Sequence, residues 1–283
     1  MKPLPVHRLA RATLLAATAL ACSLAAGVAQ AQWKPTKPVT IIVPWAAGGA
    51  TDQVTRLAAA EIEAGLGQKI VIVNQPGGAG SIGTKAAMDA PKDGYTWTAG
   101  AAKQLGTYPV LGMIQSKVDD FHLFLAVTNV SIVSVNPGTP YQTFPQLLEA
   151  MKANPLPVAT AGNSSSGHFA MEAIAKSTGA KYRHVTYDGG NPAVVSTVSG
   201  ETQVTTQLAP EQSEMLKGKR LRAEKVVTSE KLKKYAADRG ALFTPLYGKA
   251  AFDAVWPTVV TDAYLLQEAG LAKVSPESLG IKR

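Results

Sequence analysis

Three stretches place glycines beside hydroxyl, carboxylate or imidazole side chains where a β-branched run gives way to a helical pattern. They are Pro44 to Asp52, Gly162 to His168 and Tyr187 to Asn191. Glycine lets the backbone turn its N–H groups toward a guest, and the first turn of a helix leaves several N–H groups without partners. A helix start carries roughly half a positive charge and so accepts an anion. The second stretch adds the hydroxyls of Ser164, Ser165 and Ser166. In a parallel α/β sheet all three stretches fall at the carboxyl ends of strands, where ligands bind in such sheets. Each also has a plain role: a turn, a core position for Trp45, a helix cap for Asp52, a solvent-facing His168. Only their joint occurrence points to one anion-binding crevice.

Other chemistries fit the residues less well. Gly78-Ala79-Gly80-Ser81-Ile82-Gly83 matches a dinucleotide fingerprint as a string. It stands apart from its strand, and no acidic residue closes the following strand, so no nicotinamide cofactor is expected. Ser165, His168 and Asp188 could be written as nucleophile, base and orienting group, but no Gly-x-Ser-x-Gly elbow accompanies them. His122, His168 and His184 lack metal-ligand spacing. The expectation is no catalysis, no cofactor and no metal.

The elements that must position these loops alternate. Val39 to Val43 reads as a buried strand, followed by a helix from Asp52 with Val54, Leu57, Ala58 and Ile62 on its apolar face. Ile70 to Val73 is a second strand, Ser81 to Ala90 a helix, and Tyr95 to Ala99 a third strand. A second unit repeats the alternation. It has strands at Ile132 to Val135, Val158 to Thr160, Tyr182 to Thr186 and Thr202 to Thr206, with Pro155 and Pro157 as breaks. Its helices are Thr143 to Lys152, His168 to Ser177 and Pro192 to Ser199. Two charged helices follow, Glu230 to Arg239 and Lys249 to Leu266, the latter disturbed at Trp256-Pro257. Such an order predicts parallel sheets joined by helical crossovers, in two α/β units with a cleft between them.

The amino terminus reads as a secretory signal of residues 1–31. Lys2, Arg8 and Arg11 precede an apolar run, and Ala29-Gln30-Ala31 gives a cleavage pattern after Ala31. A membrane anchor and, through Cys22, a lipoprotein signal are the alternatives. Cys22 is the one cysteine, so the processed chain can form no disulfide. Removing the signal lowers the net charge from +8 to about +5, a modest excess that attracts small anions. It lacks the dense basic stripe of a nucleic-acid binder, and no nucleic-acid partner is expected.

The motifs in order resemble the Bug proteins, the receptors of tripartite tricarboxylate transporters. The likeness is carried by Ile41-Ile42-Val43-Pro44-Trp45-Ala46-Ala47-Gly48-Gly49 with Asp52 and Arg56, by Leu66-Gly67-Gln68, and by Val71 to Asn74. It continues through Pro76-Gly77-Gly78-Ala79-Gly80, Ile82-Gly83 and Asp93-Gly94-Tyr95-Thr96. Gly162 to His168, His184 to Gly190 and Gly200-Glu201-Thr202-Gln203-Val204 extend it, so that it covers about Lys37 to Arg222. The resemblance implies a two-lobed periplasmic binding protein fold, with α/β parallel-sheet lobes joined by a hinge. It implies lobe 1 over 32–128 with 229–283 and lobe 2 over 129–228. It also implies a monomer that takes a small organic carboxylate and hands it to membrane transporter subunits. Carried over by position, the ligand contacts fall on Trp45, Ala46, Gly48, Gly49 and Asp52. In the second lobe they fall on Asn163, Ser164, Ser165 and His168, with Tyr187 nearby. Ala102 and Lys103, after the third strand, should face the cleft, and Lys103 could meet a second carboxylate.

The chain departs from the family pattern after Arg222. Ala223 to Thr228 passes almost directly into the Ser229 to Arg239 helix, where the family has a hinge strand and a proline-rich segment. A few tens of residues are absent by that comparison. The loss of hinge and core is expected to lower stability or hinder closure. A binding-defective remnant and a periplasmic hydrolase therefore stand as alternatives to the receptor.

Overall fold

The first strand, β1 (Val39–Val43), is a continuous run of Val, Thr and Ile. It is central in a three-stranded sheet, between β2 (Ile70–Asn74) and β3 (Thr96–Thr98), and both neighbours run parallel to it. A strand covered on both faces needs such a run, whereas edge strand β2 leaves Val71 and Val73 exposed. Helix α1 (Ala50–Leu66) follows β1, and Gly67 ends it in the left-handed conformation. Its buried residues are Ala50, Asp52, Thr55 and Ala59, and Leu57 is 73% exposed. Of the apolar positions expected on its inner face, Leu57 is turned outward, while Val54, Ala58 and Ile62 are half-buried. Small residues and Asp52 take the inner face instead, because Asp52 bonds to Asn74 of the neighbouring strand. Helix α2 (Ser81–Asp89) precedes β3.

Helix α3 (Ala102–Val110) follows β3, so Ala102 and Lys103 stand in its first turn. It packs closely on α8 (Gly248–Glu268), and a Cβ at Gly106 would lie 2.1 Å from Val259 Cγ1. Leu105, Tyr108 and Val110 of α3 share a core with Val255, Val259, Ala263 and Leu266 of α8. The last helix runs on through Pro257 without a break. Two short strands, β4 (Phe124–Leu125) and β9 (Leu246–Tyr247), pair antiparallel.

The second sheet has four strands in the order β5-β8-β6-β7: β5 (Ser131–Val135), β6 (Leu156–Thr160), β7 (Tyr182–Thr186) and β8 (Val204–Leu208). β8, β6 and β7 are parallel, and β5 is an antiparallel edge. Pro157 lies inside β6 and does not break it. β8 pairs with β6 at Val158 and Ala159, so Pro157 owes no N–H to that neighbour. Helices α4 (Phe144–Ala153), α5 (Ser166–Thr178) and α6 (Gly190–Ser199) connect the strands, and α7 (Ala209–Lys217) follows β8. Val135, Leu147, Met151, Val158, Met171 and Val204 form the core under this sheet.

The computed structural model describes residues 33–125, 129, 131–223 and 246–283. Lys37–Arg283 form one compact unit; of the unit ending at Thr36, the described residues form neither helix nor strand. The proposed signal with Cys22 and Ala31, the shortened stretch 224–228 and the Ser229 to Arg239 helix lie outside the described residues.

Candidate functional site

The loops that close β1, β6 and β7 meet. Ala46 N–H donates to the Asp188 carbonyl at 3.2 Å, and a Cβ on Gly189 would lie 2.9 Å from Ala46 Cβ. Gly162 approaches Ala79 of the loop before α2 so closely that a Cβ there would sit 3.2 Å from Ala79 Cβ. Gln104 of α3 is fully buried, and its Nε2 donates both to Ala79 O and to Ser164 O, each at 3.2 Å. The Tyr108 hydroxyl donates to the same Ala79 carbonyl at 3.1 Å. Beside these contacts opens a cleft of about 590 Å³, a volume that suits a small organic molecule. Gly78, Ala79 and Met113 line one side; Asn163, Tyr187 and Asp188 are on the other.

The predicted residues take different places around this cleft. Asn163 and Tyr187 line it. Trp45 is 8% exposed and packs with Val43, Ala79 and Ala161 in a small core behind it. Asp52 is 3% exposed and shapes the first loop. Its Oδ2 accepts the Gly48 N–H at 2.8 Å, and Oδ1 accepts Asn74 Nδ2 at 2.9 Å. Arg56 pairs with it through Nε at 3.0 Å and Nη2 at 2.9 Å. Burial alone would raise the Asp52 pKa, but Arg56, the Gly48 N–H and the Asn74 amide together hold it below the usual carboxylate range. Gly48 adopts φ +77°, which is what lets its N–H turn back to Asp52. The Gly49 N–H bonds to Ala46 O at 3.4 Å, and Gly49 is the N-cap of α1.

In the second loop Ser164 is buried with φ +60°. Its N–H donates to His168 Nδ1 at 3.0 Å, and its carbonyl is held by Gln104. Ser165 Oγ accepts the His168 backbone N–H at 3.2 Å and so caps α5. The His168 ring is buried, lies 3.4 Å from Glu172 Oε1 through Nε2, and stacks on His184 at 4.2 Å between centroids. His184 Nε2 in turn lies 2.5 Å from Thr160 Oγ1. Ser165, His168 and Asp188 are thus not joined as a proton relay in this structure. The serine serves the helix end, the ring braces Ser164, and the Asp188 carbonyl holds Ala46.

Ala102 packs against the α3–α8 core. Lys103 pairs with Asp262 of α8 at 3.2 Å and lies over the Phe169 ring at 4.4 Å. Lys103 is engaged with the last helix, and neither residue lines the cleft. Residues not singled out by sequence include Gln104, Met113 and Pro192 at or beside the cleft, and Glu211 behind the loops. Glu211 had one readable signal, the Ala-Pro-Glu start of a helix, where proline and an acidic residue favour the first turn.

Two α/β sheets whose strand-end loops close on a common cleft define the periplasmic binding protein class. The family model "Tripartite tricarboxylate transporter family receptor" matches residues 54–238, and the chain belongs to that family. It is 30% identical to Protein BugT of Bordetella pertussis over 203 residues, covering 70% of this chain and 62% of the relative. Across the curated relatives it matches, the chain spans between 57% and 64% of their length. Among solved structures, one described as a periplasmic transporter is 26% identical with a TM-score of 0.61, covering 82% of this chain and 86% of that one. MatC from Rhodopseudomonas palustris with bound malate shares the fold with a TM-score of 0.63 at 20% identity, covering 88% and 93%.

Proposed function

We propose that this chain is a periplasmic solute-binding receptor that captures a small organic carboxylate for a tripartite tricarboxylate-type transporter. The carrying observation is the convergence of loops from both sheets on one cleft, with Gln104 tying Ala79 to Ser164 across it. Asn163 and Tyr187 meet the guest from the side of the second sheet. Trp45, Ala46, Gly48, Gly49 and Asp52 set the shape of the first loop. Ser164, Ser165 and His168 set the second, and Ala102 and Lys103 hold α3 against the last helix. The net positive charge draws anions toward the opening. The malate bound to MatC, a protein of the same fold, supports a carboxylate as ligand. The lobes are 32–128 with 229–283 and 129–228; the packing of α8 on α3 supports that division. The receptor is exported through the signal at 1–31, acts as a monomer beside its membrane subunits, uses no cofactor and carries out no reaction.

The test is a melting-temperature screen of the processed chain against di- and tricarboxylates, starting with malate. A ligand that binds only the folded state at a hundred times its Kd adds about 2.7 kcal/mol. A saturable upward shift with unchanged ligand is the expected result. Ligand turnover that is lost in Ser165→Ala would establish a hydrolase, and a folded chain that answers to no carboxylate would establish a binding-defective remnant.

A further inference from the structure

The charged groups around the cleft are matched within the fold, with one exception. Arg56, beside the first loop, bonds to Asp52. Lys103 pairs with Asp262 and lies over the Phe169 ring, so the cation that the sequence offered for a second carboxylate is already taken. Both ring nitrogens of His168 are occupied, Nδ1 by the Ser164 N–H and Nε2 by Glu172. Glu211, behind the loops, accepts from Ala50 and Leu208. Asp188 is the exception. It lines the cleft and is exposed. Among the described residues its carboxylate has neither a hydrogen bond nor an ion pair. Only its main-chain carbonyl is engaged, by the Ala46 N–H at 3.2 Å, and that bond keeps the residue where the first and third loops meet. None of the other described residues that line the cleft is charged. The charge that a guest meets there is therefore a single negative one.

A dicarboxylate brings a second negative charge into this cleft and finds no free cation among the described lining residues. A charge removed from water without a partner is costly, and like charges set side by side repel. A guest with one carboxylate and one ammonium group is in the opposite position. Its carboxylate takes the loop N–H groups, and its ammonium gives Asp188 the partner it lacks.

We infer that Asp188 is the specificity-determining residue of the cleft and selects a guest that carries an ammonium group as well as a carboxylate, against dicarboxylates. The inference rests on the receptor reading and narrows the class of acid that it names. Specificity here is built as much by repelling the wrong guest as by holding the right one.

The test is calorimetric titration of the wild type, Asp188→Asn and Asp188→Lys with two matched pairs, γ-aminobutanoate against succinate and alanine against lactate. The members of each pair share a carboxylate and differ in whether an ammonium or another group fills the second position. The Asp188 side chain is exposed and unbonded, so both variants should melt as the wild type does. In at least one pair the wild type should bind the ammonium member about tenfold more tightly, the worth of one charge-assisted hydrogen bond. Asp188→Asn should lose most of that preference, and Asp188→Lys should reverse it in favour of succinate. The preference should also shrink in about 1 M sodium chloride, because salt screens an exposed pair. Succinate and lactate binding the wild type as tightly as their partners would overturn the inference and leave the receptor reading standing. A preference for the ammonium members that survives unchanged in Asp188→Asn would do the same. If the wild type binds neither member of either pair, the inference fails, and the receptor reading fails with it only if the wider carboxylate screen is silent too.

Discussion

Replacing Asp52 by asparagine tests how the first loop is held, because the change is nearly isosteric and its cost can be worked from the contacts. The carboxylate accepts from Gly48 N–H at 2.8 Å on one oxygen and from Asn74 Nδ2 at 2.9 Å on the other, and Arg56 bonds to both. An amide has one accepting end. Whichever way it turns, an NH2 group faces either the Gly48 N–H or the Asn74 amide, and also faces Arg56. One charge-assisted bond worth about 1.5–3 kcal/mol is lost, and the stranded donor adds about 1–3 kcal/mol. The exposed Arg56 adds little beyond that, since solvent screens it. The expected loss is about 3–5 kcal/mol, a large part of the ~5–15 kcal/mol that holds a domain folded. Urea denaturation of both proteins at pH 7 measures it. The folded carboxyl sits below its ordinary pKa, so its contribution is present above about pH 4 and fades as pH falls further. The gap between the two proteins should therefore shrink toward pH 3. A gap below about 0.5 kcal/mol at pH 7, or one that does not change with acid, would refute this account of the loop.

Gly167→Ala should destabilise by at least about 2 kcal/mol, since the new Cβ would fall 1.8 Å from the Thr206 carbonyl, a backbone group that cannot swing aside; chemical denaturation checks it. Gly65→Ala is the contrast: no atom lies within 4 Å of its Cβ position in α1, so the same assay should show a gain of about 0.5–1 kcal/mol. Burial, reinforced by the neighbouring His168, lowers the His184 pKa from 6.5 to about 4. The unfolded chain then binds the proton first, so stability should fall as pH drops from about 6.5 to 4, by at most about 3 kcal/mol. Melting curves of wild type and His184→Gln across that range should diverge at neutral pH and converge in acid; parallel curves would count against a buried neutral ring.

Short-range signals carried a good deal of this protein. The β-branched runs Val39–Val43 and Tyr182–Thr186 are strands with the limits their residues predict. Thr143 and Gln146 form the capping box their spacing allows. The order of glycine loops was enough to name the family. Turn chemistry and β propensity act over a few residues, so a sequence displays them directly. What the sequence could not display was which distant groups would meet. Val54 and Leu57 have helical spacing, yet the face that faces inward carries Asp52, because Asn74 waits there from another strand. Lys103 has a charge suited to a ligand, but Asp262 takes it. His168 is buried as a brace because His184 and Glu172 converge on it from another strand and the next turn. Glu211 reaches Ala50 across 161 positions of chain. Such partnerships leave no local trace. They are decided when two sheets pack and each buried polar group must find whichever partner the fold brings within reach.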